Sequence, residues 1–206
     1  MKIKWYGYSA FHITTEKGIR IIIDPYESGS FGGTLSYGKI EDEAEIVMTS
    51  HDHADHNHIK DIRGKYNHVS KAGDYEIKDI KIIAIPSFHD SVGGKKGGNN
   101  LIFVITADGL NLVHMGDIGH SLDSELLKKI GKVDILLLPV GGFFTIDAAM
   151  AQKIMNDIKP GVTVPMHYKT QKCSFPIAPV EDFTKNQKNV RILKESSVVI
   201  KKEKGK

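Results

Sequence analysis

The run His51-Asp52-His53-Ala54-Asp55-His56 sets four side chains of metal-ligand type within six residues. In an extended segment residues two apart point the same way, so His51 and His53 share a face. Asp55 and His56 turn back as the chain enters a helical turn expected over residues 56–62. Such a constellation can serve two adjacent ions, and imidazole with carboxylate suits Zn, Fe or Mn. The alternative is a solvated polar loop with accidental histidines. It gives no reason for four charge-prone side chains to crowd together.

A ligand set also needs members from elsewhere, and the sequence supplies them at strand ends. His89 follows a strand over residues 82–88. Asp117 follows His114-Met115-Gly116, and His167 follows Val164-Pro165-Met166. A single His after a strand is usually structural; three such positions beside a local cluster reverse that reading. Loops at one edge of a rigid sheet stack are where sites are built. Of the other histidines, His12 and His68 lie on strands as structural or exposed groups. His58 faces away from His56, His114 supports the site from behind Asp117, and His120 stands near the site mouth.

The elements that must position these residues are mostly strands. Short β-branched or aromatic segments at residues 3–6, 10–14, 19–23 and 45–49 read as strands. Residues 74–85 hold one or two more. Residues 101–106 and 111–114 form a hairpin around Asp108-Gly109. Residues 134–138, 162–165, 190–193 and 198–200 complete the set. Helices are expected at residues 123–130, stopped by Gly131, and at 145–158. In the latter Ile146, Met150, Ile154 and Ile158 share a face, Thr145 caps the start and Pro160 ends it. A third spans residues 179–186. Residues 26–39 and 91–100 are loops. Helices outside two sheets are the natural layer solution, in a single domain over residues 1–206.

The whole pattern resembles the metallo-β-lactamase superfamily, from Ile3 to about Ile200. Asp24, in Ile21-Ile22-Ile23-Asp24-Pro25, matches the acidic residue the family places after an early strand. Residues 51–56 match its metal motif, and His89, Asp117 and His167 match its later ligand positions in order. The resemblance implies a four-layer αββα sandwich of two mixed sheets flanked by helices. It implies that His51, His53 and His89 hold one divalent ion and that Asp55, His56 and His167 hold a second. Asp117 would bridge them, with Asp24 supporting the histidine loop from behind. The ions would be Zn first, with Mn or Fe as alternatives. Trp5-Tyr6-Gly7-Tyr8-Ser9-Ala10-Phe11, residues 138–145 and Pro165-Met166-His167-Tyr168 resemble the branch that includes ascorbate-6-phosphate lactonase. That branch commonly has His where this chain has Tyr8.

Two cations about 3.5–4 Å apart share a water and lower its pKa toward neutrality. The bridging hydroxide would attack a small ester, lactone or phosphorylated metabolite, with Asp55 orienting it or relaying its proton. No Ser or Cys nucleophile is needed, and there is no G-x-S-x-G elbow. Substrate contacts are assigned to Tyr8, Lys95, Lys96, Asn100, Phe144, Thr145 and Tyr168, with Phe143 also near the cleft. The glycine-rich loop carrying the two lysines either closes over an anionic group or moves freely in solvent.

Composition sets the limits on partners. Hydrophobic residues at 40% and charged residues at 26% exclude a disordered chain. The net charge is +3, and residues 201–206 hold four lysines against one glutamate, so the remainder is near neutral. That favours a small anionic substrate over nucleic acid, and no apolar run is long enough for a membrane. One cysteine and an opening without a signal peptide suggest the cytoplasm. A homo-oligomer stays open. The competing readings are a phosphodiesterase or nuclease on the same fold, and a relative that binds metal without catalysis.

Overall fold

Four apolar strands show how the layers arise. In β3 (Arg20–Ile23), Ile21 and Ile23 enter one buried cluster and Ile22 another. In β4 (Ile46–Met48), Ile46 and Met48 join the first cluster and Val47 the second. β8 (Asn99–Ala107) and β10 (Ile135–Pro139) behave likewise. Phe103, Ile105, Ile135 and Leu137 enter the first cluster, whereas Ile102, Val104, Leu136 and Leu138 enter a third. Side chains alternate across a strand. An unbroken apolar run therefore requires cover on both faces.

The computed structural model describes residues 1–202; residues 203–206, the end of the lysine-rich tail, lie outside the described residues. One six-stranded sheet contains β1 (Lys2–Gly7), β2 (Ala10–Thr14), β3, β4, β5 (Asn67–Val69) and β12 (Ser197–Val199), in the order β12-β1-β2-β3-β4-β5. The other contains β6 (Gly73–Ile77), β7 (Ile80–Phe88), β8, β9 (Leu110–His114), β10 and β11 (Val162–Met166), in the order β11-β10-β9-β8-β7-β6. Both are mixed: β3, β4 and β5 run parallel, as do β9, β10 and β11, and the other pairs are antiparallel. The first cluster lies between the sheets.

The outer faces are covered unequally. Ile130 of α2 (Ser124–Ile130), Ala151 and Ile154 of α3 (Ala148–Ile158) and Phe183 of α4 (Glu181–Thr184) cover the second sheet. The first sheet is covered mainly by loop residues, including Tyr26, Leu35, Tyr37, Ile40 and Cys173. Its only helix-like piece among the described residues is the single turn α1 (Ser30–Gly33), which Phe31 and Gly32 interrupt in left-handed conformations. The sandwich matches the expected αββα layering, with one outer layer built largely of loop. No described helix is long and apolar enough to cross a membrane.

Several expected boundaries move. The long helix starts at Ala148 rather than 145, and Asp147, not Thr145, caps it through Met150 N at 2.8 Å. The preceding residues are taken up by a tight turn in which Gly142 N donates to Ile146 O. The helix expected over 179–186 shrinks to the single turn of α4. Residues 56–62 form turns instead of a helix, closed by His56 N to His53 O and Ile62 N to Ile59 O. Residues 190–193 are not a strand: Ile192 is 90% exposed, and β12 already occupies the outer edge of β1.

Arg20 and Glu45 tie the start of β3 to the start of β4. The Arg20 guanidinium donates to both Glu45 oxygens, at 3.2 and 2.6 Å, and its backbone N–H adds a bond of 2.8 Å. The Arg20 hydrogen bonds hold the Glu45 carboxyl down at about 2, against an ordinary 4.5. Its contribution is therefore fully present above pH 4.5 and is lost as the pH falls through about 2. A forked, part-exposed pair contributes about 1 kcal/mol. Glu45→Gln should melt about 2–4 °C below wild type at pH 7, and the gap should narrow as acid is added below pH 4.5. A gap that ignores pH across that range refutes the assignment.

Candidate metal centre

Every expected ligand sits just past the C-terminal end of a strand, on one edge of the sandwich. Asp24 follows β3, the 51–56 loop follows β4, and His89 follows β7. Asp117 follows β9 and His167 follows β11. Parallel strands end on the same edge, which is where open sheets build sites. Tyr8 joins them from the turn between β1 and β2.

The donor atoms converge in three overlapping trios. His51, His53 and His89 form one, His51, His56 and Asp117 a second, and Asp55, His56 and His167 a third, each with its donor atoms within 4.8 Å of one another. His53 is exposed, whereas Asp55, His56, His89, Asp117 and His167 are buried. Solvent therefore reaches the cluster on the His53 side. Asp117 Oδ2 lies 3.2 Å from His56 Nε2, 3.2 Å from His89 Nε2 and 3.1 Å from His167 Nε2. The His56 and His167 approaches lack hydrogen-bond alignment. His51 Nε2, His56 Nε2, Asp55 Oδ1, Asp117 Oδ1 and both ring nitrogens of His167 remain buried without a hydrogen-bond partner.

Buried polar atoms are ordinarily satisfied, so this concentration of unpartnered donors fits a metal cluster. The charge balance agrees. The buried Asp117 carboxyl lies well below its usual range despite its burial, because His167 and His56 stand beside it. Burial opposes charge on His56, yet the Asp117 and Asp55 carboxylates raise its proton affinity well above the ordinary value. A pocket that draws a proton onto a buried imidazole attracts cations. His51 goes the other way: burial first, then His56, lowers it to about 3. It is thus a neutral nitrogen donor at neutral pH.

The supports behind the cluster are built from hydrogen bonds with fixed direction. Asp24 is fully buried and accepts from Ser50 N at 2.7 Å, Ser50 Oγ at 2.6 Å and His56 Nδ1 at 2.9 Å. His56 therefore carries its proton on Nδ1 and turns Nε2 to the site. The Ser50 hydroxyl gives its hydrogen to Asp24, so His51 Nδ1 must donate to Ser50 Oγ across 2.9 Å. That leaves the His51 Nε2 lone pair for the site. One carboxylate thus orients two imidazoles. His114 sits 3.9 Å from Asp24 and accepts from Gly116 N at 3.0 Å, with Nε2 donating to Ser9 O at 2.9 Å.

Asn100 has a different place from the one expected. It is buried; its amide donates to Ser87 Oγ and Met115 O, and Oδ1 accepts from Asp117 N at 2.9 Å. Both N–H groups are used inside the fold, and the oxygen fixes the Asp117 backbone. His120 likewise spends its ring nitrogens on Phe88 N and Ser121 O. Lys95 and Lys96 are exposed on a loop that is neither loose nor a phosphate cradle. The Asp90 carboxylate accepts from the amides of Val92, Gly94, Lys96 and Gly97 at 2.6–2.8 Å. Tyr8 is 1% exposed with an unpartnered hydroxyl, and its ring centroid lies 4.2 Å from that of His167. Phe144 is exposed, Thr145 donates to Ile146 O, and Tyr168 stacks on Trp5.

Sequence reading missed Ser50, the direct link between Asp24 and His51, although its place before the histidine run marked it. It also missed two glycines that let backbones meet. A Cβ on Gly119 would lie 2.5 Å from the His89 carbonyl carbon, and one on Gly141 would lie 2.2 Å from His167 O. No local signal separates these from turn glycines.

Fold and site together define a metal-binding hydrolase architecture, and comparison with known proteins agrees. The family model described as a beta-lactamase superfamily domain matches residues 2–167. A UPF0173 metal-dependent hydrolase of Thermococcus onnurineus is 31% identical over 82% of this chain and 85% of its own. One from Pyrococcus abyssi is 32% identical with the same coverage. A structure from Thermotoga maritima, described as a Zn-dependent hydrolase of the metallo-β-lactamase superfamily, superposes with a TM-score of 0.76. It is 32% identical over 89% of this chain and 84% of that one. The chain belongs to the metallo-β-lactamase superfamily. Within it, the protein groups with metal-dependent hydrolases and has a His/Asp cluster able to bind metal.

Proposed function

We propose that the protein binds two divalent ions, Zn first, and hydrolyses a small ester, lactone or phosphorylated metabolite. His51, His53 and His89 would hold one ion, Asp55, His56 and His167 the other, and Asp117 would serve both. The observation that carries this reading is the set of buried, unpartnered nitrogen and oxygen atoms shared by three overlapping trios. Two bound ions would supply an activated water and a Lewis acid for the substrate oxygen. The chain's own groups do the rest. Asp55 Oδ1, buried and without a partner, accepts the proton released by the attacking water. The neutral Tyr8 hydroxyl, held protonated first by burial and then by Asp117 and Asp55, donates to an oxygen of the bound substrate. Asp24 and Ser50 keep two imidazoles aimed.

Lactone cleavage is the form of this chemistry nearest the branch suggested by the sequence motifs, and a phosphodiester is the alternative. Elemental analysis of protein purified without chelator should show about two ions per chain. The loaded protein should then be offered a lactone panel, a bis-nitrophenyl phosphodiester and a structured RNA side by side at physiological salt. Turnover of a small substrate is expected. Less than about half an ion per chain after reconstitution with Zn, Mn and Fe overturns the metal assignment. RNA cleavage with every small substrate untouched replaces the metabolite reading with a nuclease.

A further inference from the structure

Three separate loops bring aromatic rings together beside the metal centre. Phe31 comes from α1, Phe143 and Phe144 from the loop after β10, and Phe175 from the loop after β11. Their ring centroids form a connected path. Phe143 lies 4.7 Å from Phe144, Phe144 5.4 Å from Phe175, and Phe31 5.3 Å from Phe175. Phe175 lies 6.0 Å from Tyr8, which in turn lies 4.2 Å from His167. The outer end is open to solvent: Phe143 is 73% and Phe31 50% exposed. The inner end touches the cluster.

Two of these rings are presented at a conformational cost. Phe31 has φ 52° and Phe143 has φ 64°, the left-handed region that bulky residues avoid. Neither ring gains much burial in return. Strain of that kind collects at ligand-binding sites. Rings that touch in sequence and lead to a reactive centre form a shelf for an apolar group.

We propose that this aromatic shelf binds the apolar acyl or aryl part of the substrate. The scissile carbonyl or phosphoryl group would sit beside Tyr8 and His167. The proposal rests on the hydrolase reading above and narrows its substrate class to an ester, lactone or phosphoester that carries an apolar arm. The continuity from Phe175 through Tyr8 to His167 favours a substrate over a second copy of the chain, since a protein partner needs no ring inside the metal pocket.

The test uses binding alongside turnover. Zn-loaded protein is titrated calorimetrically with phenylphosphonate and with methylphosphonate, in wild type and in Phe143→Gly and Phe144→Ala variants. Metal content, oligomeric state and melting temperature are recorded for each. Phenylphosphonate should bind wild type at least ~10-fold more tightly, since a buried aromatic ring contributes more than one factor of ten. That preference should shrink several-fold in both variants. Phe143→Gly should melt at the same temperature or higher, because glycine accepts the positive φ. Equal affinities, a preference unchanged by the substitutions, or no binding of either phosphonate to fully loaded protein overturns the shelf. A variant that changes oligomeric state makes the patch an interface between copies instead. A clear fall in melting temperature for Phe143→Gly makes the ring structural. Failure of the hydrolase reading is separable, because it appears as absent metal or as no turnover of any ester.

Discussion

Asp117→Ala is expected to lose about one of the two proposed ions and to reduce turnover at least ~100-fold. The carboxylate lies within 3.2 Å of imidazoles from three different loops, those of His56, His89 and His167. Removing it takes away the negative charge between the two proposed ions and leaves three imidazoles facing one another. Asp24→Ala should show the opposite balance. Asp24 touches no position proposed for an ion, but it accepts three buried hydrogen bonds, from Ser50 N, Ser50 Oγ and His56 Nδ1. Each orphaned donor costs about 1–3 kcal/mol, so Asp24→Ala loses stability first and metal affinity second. Paired elemental analysis and urea unfolding separate the two. Equal metal content in Asp117→Ala and wild type sinks the bridging role.

Gly141→Ala is expected to be a strongly damaging single-methyl addition beside the site. The new Cβ would lie 2.2 Å from the His167 carbonyl oxygen and 3.1 Å from Tyr168 Cα. Both are backbone atoms, so no rotamer change relieves the clash. The segments after β10 and β11 must separate, at a cost of about 3 kcal/mol or more. In a chain of this size that lowers the melting temperature by roughly 6–12 °C. It also moves His167, so metal held with Asp55 and His56 should bind more weakly. Gly38→Ala is the control: nothing lies within 4 Å of its Cβ, and it should stay within about 0.5 kcal/mol of wild type. A Gly141→Ala protein that melts like the control would falsify the close-approach argument.

The sequence by itself determined the ligand types, their order and their places after strands. That information is local. Alternating apolar residues define a strand, and a polar residue beyond its end falls at the sheet edge. It also determined the two-sheet layering, because runs such as Ile135 to Leu138 are buried on both faces and require cover on each. Its boundaries failed where tertiary demand outweighed local preference. Thr145 lost the helix start to Asp147 because the preceding residues turn back onto the site. Residues 190–193 had strand character, but β12 takes the outer edge of β1.

Only the tertiary structure decided which polar groups face the His/Asp cluster and which hold their neighbours. Asn100 looked free to meet a substrate, yet it is buried, Ser87 and Met115 take both of its N–H groups, and its oxygen holds Asp117 N. The glycine-rich loop looked mobile until Asp90 gathered four of its amides. Phe31, Phe143 and Phe175 lie far apart along the chain, and no periodicity joins them. Their convergence depends on three loops from two sheets ending at one edge. Hydrogen-bond direction and ring contact are properties of positions in space, and sequence spacing carries neither once the partners come from different strands.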